Sequence, residues 1–501
     1  MTRVFGLSKS KLMAFRQCPR RLWLSVHRPD CVPADDTNEA VLAMGTDVGV
    51  IARQGWPDGI LIAPEGPLTE ALSQTQAALA ARKPLFEATV QQDGVLVRAD
   101  VLVPRPRGAA FDLIEVKSST HVKDYQLEDV AIQSQIFAAA GVPLKRRVLQ
   151  YINSAFVYPG DGCYHEVRPD GSRNSLFAAA DVTEAVEPIQ AEVPGWIDAA
   201  RRTLAGAMPD ETDGCNDPYP CPYQAFCHAQ APEYPLSCLP RIRAEAIAAL
   251  AEKGYQDVRD VPAGVLTAPA HEWVRQVTCS GQPELRPGAR AALAVLDYPR
   301  YYVDFETIQF AVPIWPGTRP YEQLPFQWSC HCEDRSGALS HREFLDLSGA
   351  DPTRAFAKTL IAALGTKGPI CVYNQGFEGR VIRELALRYP ELAESLAALL
   401  SRLIDLLPLT RAHYYHPAMK GSWSIKAVLP TIAPDLDYAE LSEVQDGGGA
   451  QEAYREAIAP DTPPDRKQVL DQALRRYCGR DTEALVRLAS FLKQGQTSRT
   501  T

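Results

Sequence analysis

The sequence predicts an α/β chain of about three domains, and three observations carry that prediction. Its 501 residues correspond to about three cores at roughly 150 residues each. Strand-like and helix-like patterns alternate in both halves of the chain, as they do around a partly parallel sheet. The composition, 46% hydrophobic and 23% charged, is that of a folded globular chain. Its 40 prolines and 32 glycines are dispersed, which excludes a collagen-like or low-complexity protein. No run approaches the ~20 apolar residues of a membrane span. The opening MTRVFGLSKSKLMAF has no apolar stretch of the kind an export signal carries. The expectation is therefore a cytoplasmic protein with no membrane partner.

The elements follow in order. Residues 1–35 read as a helical entry, with Ser8 capping a turn that leads to Leu12, Phe15 and Leu22. Residues 39–64 read as a helix ending in the turn WPDG. Two strands, GVLVRADVLV and AFDLIEVKSS, are separated by the turn-forming PRPRG. A helix over about 124–140, a strand near 146–153 and a helix over 183–206 complete a first domain at 1–240. Residues 241–295 read as a small helical connector. The third domain, 296–495, opens on the strand YYVDFETIQF and continues through a strand at 369–373 and helices around 377–405. It closes with a long helix at 464–493. Within it, the acidic stretch 431–463 with Gly447, Gly448 and Gly449 reads as a mobile loop or lid base. The tail 496–501 is expected to be disordered.

The net charge of −9 excludes a protein that coats nucleic acid indiscriminately. Residues 1–30 are nevertheless basic: Arg3, Lys9, Lys11, Arg16, Arg20, Arg21 and Arg28 face Asp30 alone. Arg16, Arg20 and Arg21 are the candidate contacts to a nucleic-acid backbone. Three constellations then carry chemistry. In FDLIEVKSS, Glu115 and Lys117 are two apart on a strand and leave one face, near Asp100 of the neighbouring strand. Two carboxylates at one point suit a hard divalent cation, and a lysine beside them can hold a phosphate. An alternating charged outer face is the equally weighted alternative for these three residues alone.

The second constellation is Cys18 together with Cys215, Cys221 and Cys227 in GCNDPYPCPYQAFC. Reduced thiols in the cytoplasm can enclose Zn²⁺ or a [4Fe–4S] cluster, and Cys238 is the nearest spare ligand. The third is Asp304 and Glu306, two apart on a strand, with Glu378 and Asp481. On the last helix the stripe Leu470, Leu474, Tyr477, Asp481, Leu485, Leu488, Leu492 puts Asp481 on the buried face. An unpartnered carboxylate there is penalised, and a divalent metal shared with Asp304 removes the penalty. Tyr477 lies one turn earlier on the same face. A salt-bridged aspartate beside a core tyrosine is the plainer alternative.

The first pattern, Asp100, then Glu115-x-Lys117, then a helix bearing Gln133 and Phe137, resembles the PD-(D/E)xK nucleases of the RecB type. The resemblance implies that Gln133 belongs to the site. That family often carries a histidine in the early helix, where this chain has Gly45, Asp47 and Gly49. One early cysteine and a late triplet resemble the iron–sulfur staple of RecB-like nucleases, which include CRISPR-associated exonucleases and AddB-type repair subunits. A [4Fe–4S] cluster is thereby implied, with zinc as the alternative. Asp304-x-Glu306 and YCGRD resemble the tyrosine-bearing DEDD 3′–5′ exonucleases of the RNase H-like superfamily. Their second motif corresponds to Asn374, Phe377 and Glu378, with glutamate in place of aspartate and Asp405 as the fallback ligand. GSWSIKAVLP resembles the Ser-x-Lys segment of such enzymes.

Together these resemblances imply a fusion of a restriction-endonuclease-like domain, a connector and a DnaQ-type exonuclease domain. They imply an Mg²⁺- or Mn²⁺-dependent nuclease, a DNA exonuclease acting on ends or single strands, in which Tyr477 orients the attacking water. The alternatives are a nucleic-acid-binding adaptor with degenerate nuclease domains, working with a helicase or mobile-element partner, and an RNA 3′–5′ exonuclease.

Overall fold

A computed structural model describes residues 6–32, 39–63, 66–167, 173–210, 212, 214–229, 231–436, 441 and 443–494. The chain divides into two compact units, 1–230 with 310–322 and 231–309 with 323–501. Each is a mixed α/β unit with its own sheet.

In the first unit Ser8 caps the helix Lys9–Gln17 by accepting a hydrogen bond from the Lys11 N–H at 3.3 Å. Cys18 interrupts that helix, and Pro19 starts the next one, Pro19–His27, at the position where proline costs least. The helix Glu39–Arg53 is shorter than the one expected over 39–64. Gly55, Pro57 and Gly59 break it, and Ile60–Leu61 is a strand. The sheet runs in the order Ile60–Leu61, Leu85–Gln92, Val95–Pro104, Phe111–Lys117, Leu144–Ile152, Phe177–Asp181, with Leu7–Ser8 parallel to the Val95 strand.

The Val95 and Phe111 strands pair antiparallel, whereas the Phe111 and Leu144 strands are parallel and are bridged by the helix Asp124–Ala139. That helix buries Val130, Ile132, Ile136 and Phe137 in one core with Leu12, Leu22, Leu113 and Leu149. Segment 310–322 packs in this unit although it follows the Asp304 strand in the chain. The Gly317 N–H donates to the Tyr158 carbonyl at 2.8 Å, and the Tyr164 hydroxyl donates to the Pro313 carbonyl at 3.1 Å.

The second unit has five strands in the order Leu339–Leu345, Leu324–Glu333, Arg300–Ile308, Ile370–Val372, Leu403–Asp405. The first two pairings are antiparallel and the last two parallel. The helix Pro464–Gln494 buries Leu470, Leu474, Tyr477, Leu485, Leu488 and Leu492, the stripe read from the sequence. Residues 241–295 group with this unit. Their Leu250, Val258, Trp273, Val277 and Leu293 share a core with Tyr302, Tyr414 and Leu488, so they are part of its hydrophobic interior.

Two close backbone approaches fasten that packing. Gly421, at φ +79°, leaves no room for a side chain, since a Cβ there would lie 1.8 Å from the Cys238 carbonyl oxygen. A Cβ on Gly368, at φ +85°, would lie 1.9 Å from the Pro299 carbonyl oxygen. Gly447, Gly448 and Gly449 do not form the expected loop. They begin the helix Gly447–Ile458, capped by Asp446, which accepts from the Gly449 N–H at 2.8 Å. Residues 437–440 and 442 of the expected lid, and the tail 496–501, lie outside the described residues. Among the described residues no helix is long and apolar enough to cross a membrane.

Substituting Gly421→Ala or Gly368→Ala combines an unfavourable backbone angle with a clash against main chain. Each is expected to destabilise the second unit by on the order of 2 kcal/mol or more. Urea denaturation read by a second-unit tryptophan signal checks this, and an unchanged midpoint would refute it.

Candidate functional site

In the first unit the strand Phe111–Lys117 aims Glu115 and Lys117 at one point, as period-two geometry requires. The Lys117 ammonium donates to Glu115 Oε1 at 2.7 Å and to Asp129 Oδ2 at 2.6 Å. Gln133, fully buried on the crossover helix, donates to Glu115 Oε2 at 2.6 Å and to Asp129 Oδ1 at 3.2 Å. A second lysine completes the network: Lys9 Nζ lies 2.9 Å from Glu115 Oε1 and 3.1 Å from Asp129 Oδ1. Asp100 accepts the Val116 N–H at 2.7 Å. The structure therefore brings together Asp100, Glu115, Lys117 and Gln133, and adds Lys9 and Asp129.

Charge balance in this network is nearly internal. Burial alone would raise the Asp129 carboxyl, but Lys9 and Lys117 hold it well below the usual range. Asp100 is the exception, pushed up to about 7 by burial and by Glu115 against the pull of both lysines. A cleft of about 490 Å³ opens beside it, lined by Gly45, Gly49, Arg53, Glu87, Asp100 and Lys117. The glycines of the early helix leave that wall bare. Glu87 reaches the cleft from the adjacent strand, where its backbone takes φ +57° and the ladder pair with Asp100 is missing. Burial raises the Glu87 carboxyl, although Arg53 and Arg98 oppose the shift.

The chain stretches bearing the four cysteines also meet, although among the described residues no three of these thiols lie within metal-ligand distance of one another. Gln17 donates to the carbonyls of Gly214 at 2.8 Å and Tyr219 at 2.7 Å. Cys215 Sγ donates to the Thr212 carbonyl at 3.8 Å. Burial pushes the Cys18 thiol up, yet hydrogen bonds from Thr212 and from the Arg21 and Arg20 backbones outweigh it and leave the thiol below its ordinary value. The Cys221 N–H bonds the Cys215 carbonyl at 2.8 Å, and the Cys227 N–H bonds the Tyr223 carbonyl at 3.0 Å. Thr212 thus touches both Cys18 and Cys215. Cys238 sits in the apolar core of the second unit, where burial raises its thiol.

Of the basic residues, Arg16 is tied to Glu128 at 2.6 Å and stacks 4.1 Å above Trp196. Arg21 bonds Gln17 Oε1 and lies 5.0 Å over Tyr219. Arg20 offers its backbone to Cys18.

In the second unit four carboxylates converge. Asp304 and Glu306 leave one face of the strand Arg300–Ile308, where the ladder slips by one residue just after Glu306. Burial, then Asp481, Glu306 and Glu378 in turn, raise Asp304 well above the usual range. Burial and Asp481 do the same to Glu306, against the opposing Lys426. Glu378 opens the helix Gly376–Arg388 and is fully buried. Its Oε2 has no hydrogen-bond partner, and burial lifts its carboxyl to about 8. Asp405 is not a spare ligand but a cap. It accepts from the Asn374, Gln375 and Leu407 N–H groups at 3.0, 3.1 and 2.9 Å, which fixes the turn that aims Glu378.

Tyr477 and Asp481 are both buried on the last helix, and Lys426 lies 5.6 Å over the Tyr477 ring. In this unit the sequence pattern did not mark Cys478. Cys478 is fully buried, and its Sγ lies within 4.8 Å of carboxylate oxygens of both Asp304 and Glu306. Burial and these carboxylates push its thiol well up. Its spacing of three from Asp481 was the available signal.

A divalent cation fits this set. At about 4 Å, two like charges repel by about 4 kcal/mol even at an effective dielectric of 20. An orphaned buried oxygen on Glu378 adds an unmet acceptor. Asp304 and Glu306 are the carboxylates close enough to hold the ion together, with Asp481 and Glu378 adding negative charge around Asp304.

Residues 301–424 match a domain of unknown function, DUF2779. The match includes Asp304, Glu306 and Glu378 and stops before Tyr477 and Asp481. The chain is also similar to the uncharacterised protein MG366 homolog of Mycoplasma pneumoniae, at 26% identity over 213 residues. The aligned part spans 39% of this chain and 32% of that relative. Both similarities fit an uncharacterised bacterial family.

Two expectations follow from the electrostatics and the thiols. The folded state keeps the Glu378 proton that the unfolded chain has lost. In EDTA the second unit should therefore lose stability as pH rises between about 4.5 and about 8. Mn²⁺ should reverse the loss, and Glu378→Gln should flatten the slope. Melting temperatures across a pH series check this, and a midpoint that rises over that range would contradict it. Separately, Cys18→Ser and Cys221→Ser should each strip bound iron or zinc from anaerobically purified protein, whereas Cys238→Ser should not. Elemental analysis decides, and equal metal content in all three would remove the thiol site.

Proposed function

We propose that the chain is a metal-dependent nuclease, a DNA exonuclease acting on ends or single strands, with its cutting site in the second unit. The single observation that carries this reading is the buried Asp304, close to Glu306 and raised, beyond the effect of burial, by the charges of Asp481, Glu306 and Glu378 together. Phosphodiester hydrolysis is the reaction class that such a carboxylate set serves, because it needs cations at both the attacking and the leaving oxygen. The pattern of Asp304, Glu306, Glu378, Tyr477 and Asp481 also resembles the tyrosine-bearing DEDD exonucleases, which favours cutting from an end.

When bound, divalent cations supply an activated water and charge neutralisation at the leaving oxygen. The chain's own residues do the rest. Tyr477 orients the water through its hydroxyl, held on the helix face that also carries Asp481. Lys426, beside the Tyr477 ring, gives the incoming phosphate a positive edge. Asp405 holds the turn from which Glu378 projects, so it positions without touching substrate.

One observation favours a different part for the first unit. Lys9 and Lys117 already neutralise Glu115 and Asp129, so little negative charge is left to draw a cation except at Asp100. On this reading the RecB-like unit, with its thiol site as a staple, holds the strand while the second unit cuts.

Cleavage of 5′- and 3′-labelled single-stranded DNA and RNA with Mg²⁺ or Mn²⁺ tests the proposal. Asp304→Ala is expected to lower the rate by at least about 10³-fold, and Lys117→Ala to weaken strand binding while sparing most of the rate. Cutting that survives Asp304→Ala but not Lys117→Ala would move the engine to the first unit. Preferential cutting of RNA would assign the RNA exonuclease. Binding without cutting under any metal leaves the adaptor.

A further inference from the structure

The helix Pro464–Gln494 places Cys478 three residues before Asp481, and such residues share a helix face. The Cys478 sulfur is fully buried and lies 3.8 Å from the Asp304 main-chain carbonyl. Its Sγ and one carboxylate oxygen each from Asp304 and Glu306 lie within 4.8 Å of one another. A sulfur packed only for volume has no reason to sit among carboxylates, which gain nothing from a weak thiol donor. A second observation concerns the same aspartate. Glu378 is 1% exposed, its Oε2 has no hydrogen-bond partner, and its charge acts on Asp304. Two carboxylate oxygens and one sulfur therefore gather within reach of one cation, with the charge of the unmet Glu378 carboxylate acting on the same aspartate.

The geometry points to Cys478 as a sulfur ligand of the second-unit metal, which makes that centre a mixed oxygen–sulfur site for a borderline-soft divalent cation. The inference rests on the metal-centre reading above and deepens it by naming the class of ion. Mg²⁺ takes oxygen ligands in near-octahedral geometry and gains little from sulfur. Mn²⁺, Co²⁺ and Zn²⁺ accept sulfur in increasing measure, and Cd²⁺ serves as the thiol-seeking probe. Coordination breaks the S–H bond and forms a metal–sulfur bond, and the proton passes to solvent. No oxidant or reductant is involved. Asp304 and Glu306 keep their oxygens on the ion, so removing the sulfur alters which metal is preferred before it alters whether one binds.

The test uses the full chain, anaerobically purified with its other thiols intact, and Cd²⁺ and Mg²⁺ as probes. Wild type is expected to show one more equivalent of the ultraviolet thiolate-to-cadmium band than Cys478→Ser or Cys478→Ala. Its Cd²⁺ affinity should exceed that of either variant by at least about 10-fold, while Mg²⁺ affinity changes by less than about threefold. Circular dichroism confirms that the variants fold. Cadmium NMR of the wild type needs no variant, and a resonance between the all-oxygen and all-thiolate ranges is expected from this site. If Asp304→Asn abolishes Mg²⁺ binding and the Cd²⁺ bound beyond that held by the other thiols, while both cysteine variants bind Cd²⁺ as wild type does, the sulfur ligand is overturned and the carboxylate centre stands. If Asp304→Asn also binds both ions unchanged, the metal-centre reading itself falls. A wild-type spectrum with resonances only in the two extreme ranges likewise overturns the sulfur ligand.

Discussion

The second unit is organised around a repulsion. Asp304, Glu306, Glu378 and Asp481 arrive from a strand, a helix N-terminus and a late helix, and each raises the cost of ionising another. Left to itself, such a cluster keeps its protons or opens. The surrounding fold holds it closed with features that have little other purpose. The ladder slips just after Glu306, Asn374 sits at φ +76°, and Asp405 spends its carboxylate on three backbone N–H groups to hold the Asn374 turn. The apolar stripe of the last helix then fixes Asp481 from behind. Strain and burial of this kind are what a site proposed to take a cation would need, and without one the raised carboxyls keep their protons.

The first unit handles a comparable number of carboxylates in the opposite way. It imports Lys9 from the first helix and Lys117 from the central strand, so that Glu115 and Asp129 each face an ammonium group. Hydrogen bonds from Gln133 complete the set. A network neutralised in this manner leaves its spare capacity at Asp100, at the Glu87 wall of the cleft and at the buried, unpartnered Gln133 Oε1. The contrast between an internally neutralised site and an unneutralised one is what the proposed division of tasks between the two units rests on.

Much of this was legible in the sequence because it is local. Pairs two apart on a strand, as Glu115 with Lys117 and Asp304 with Glu306, share a face by backbone geometry alone. The 3.6-residue stripe that buries Tyr477 and Asp481 is equally local. What escaped is what folding brings from afar. Lys9 meets Glu115 across 106 residues, and nothing in its own neighbourhood marks it as a site residue. Glu87 depends on a backbone distortion opposite Asp100 that no pattern announces. The connector looked separate because short helices broken by proline carry a weak periodic signal, whereas its membership is decided by Trp273 and Val277 packing against Tyr415 and Leu488. The three glycines at 447–449 suggested a loop by propensity, and the Asp446 cap overrode them.

The thiol region shows how the first unit uses its chain length. Gln17 and Thr212 join the two ends of a stretch of nearly two hundred residues by hydrogen bonds that are individually worth about 1 kcal/mol. Closing so long a loop costs entropy that grows only as the logarithm of its length, so a single strong cross-link there stabilises the whole unit. Four thiolates on one metal centre are such a link. Against the effect of burial, the Cys18 thiol at the start of the helix Pro19–His27 is lowered by the Thr212 hydroxyl and by backbone N–H groups at the helix start, which favour the charged sulfur that such a link would need. The same helix pair carries Lys9 into the carboxylate network, so tying residue 18 to residue 215 also holds Lys9 at Glu115. A metal staple at residues 18 and 215, if the chain carries one as proposed, would therefore also hold Lys9 against Glu115.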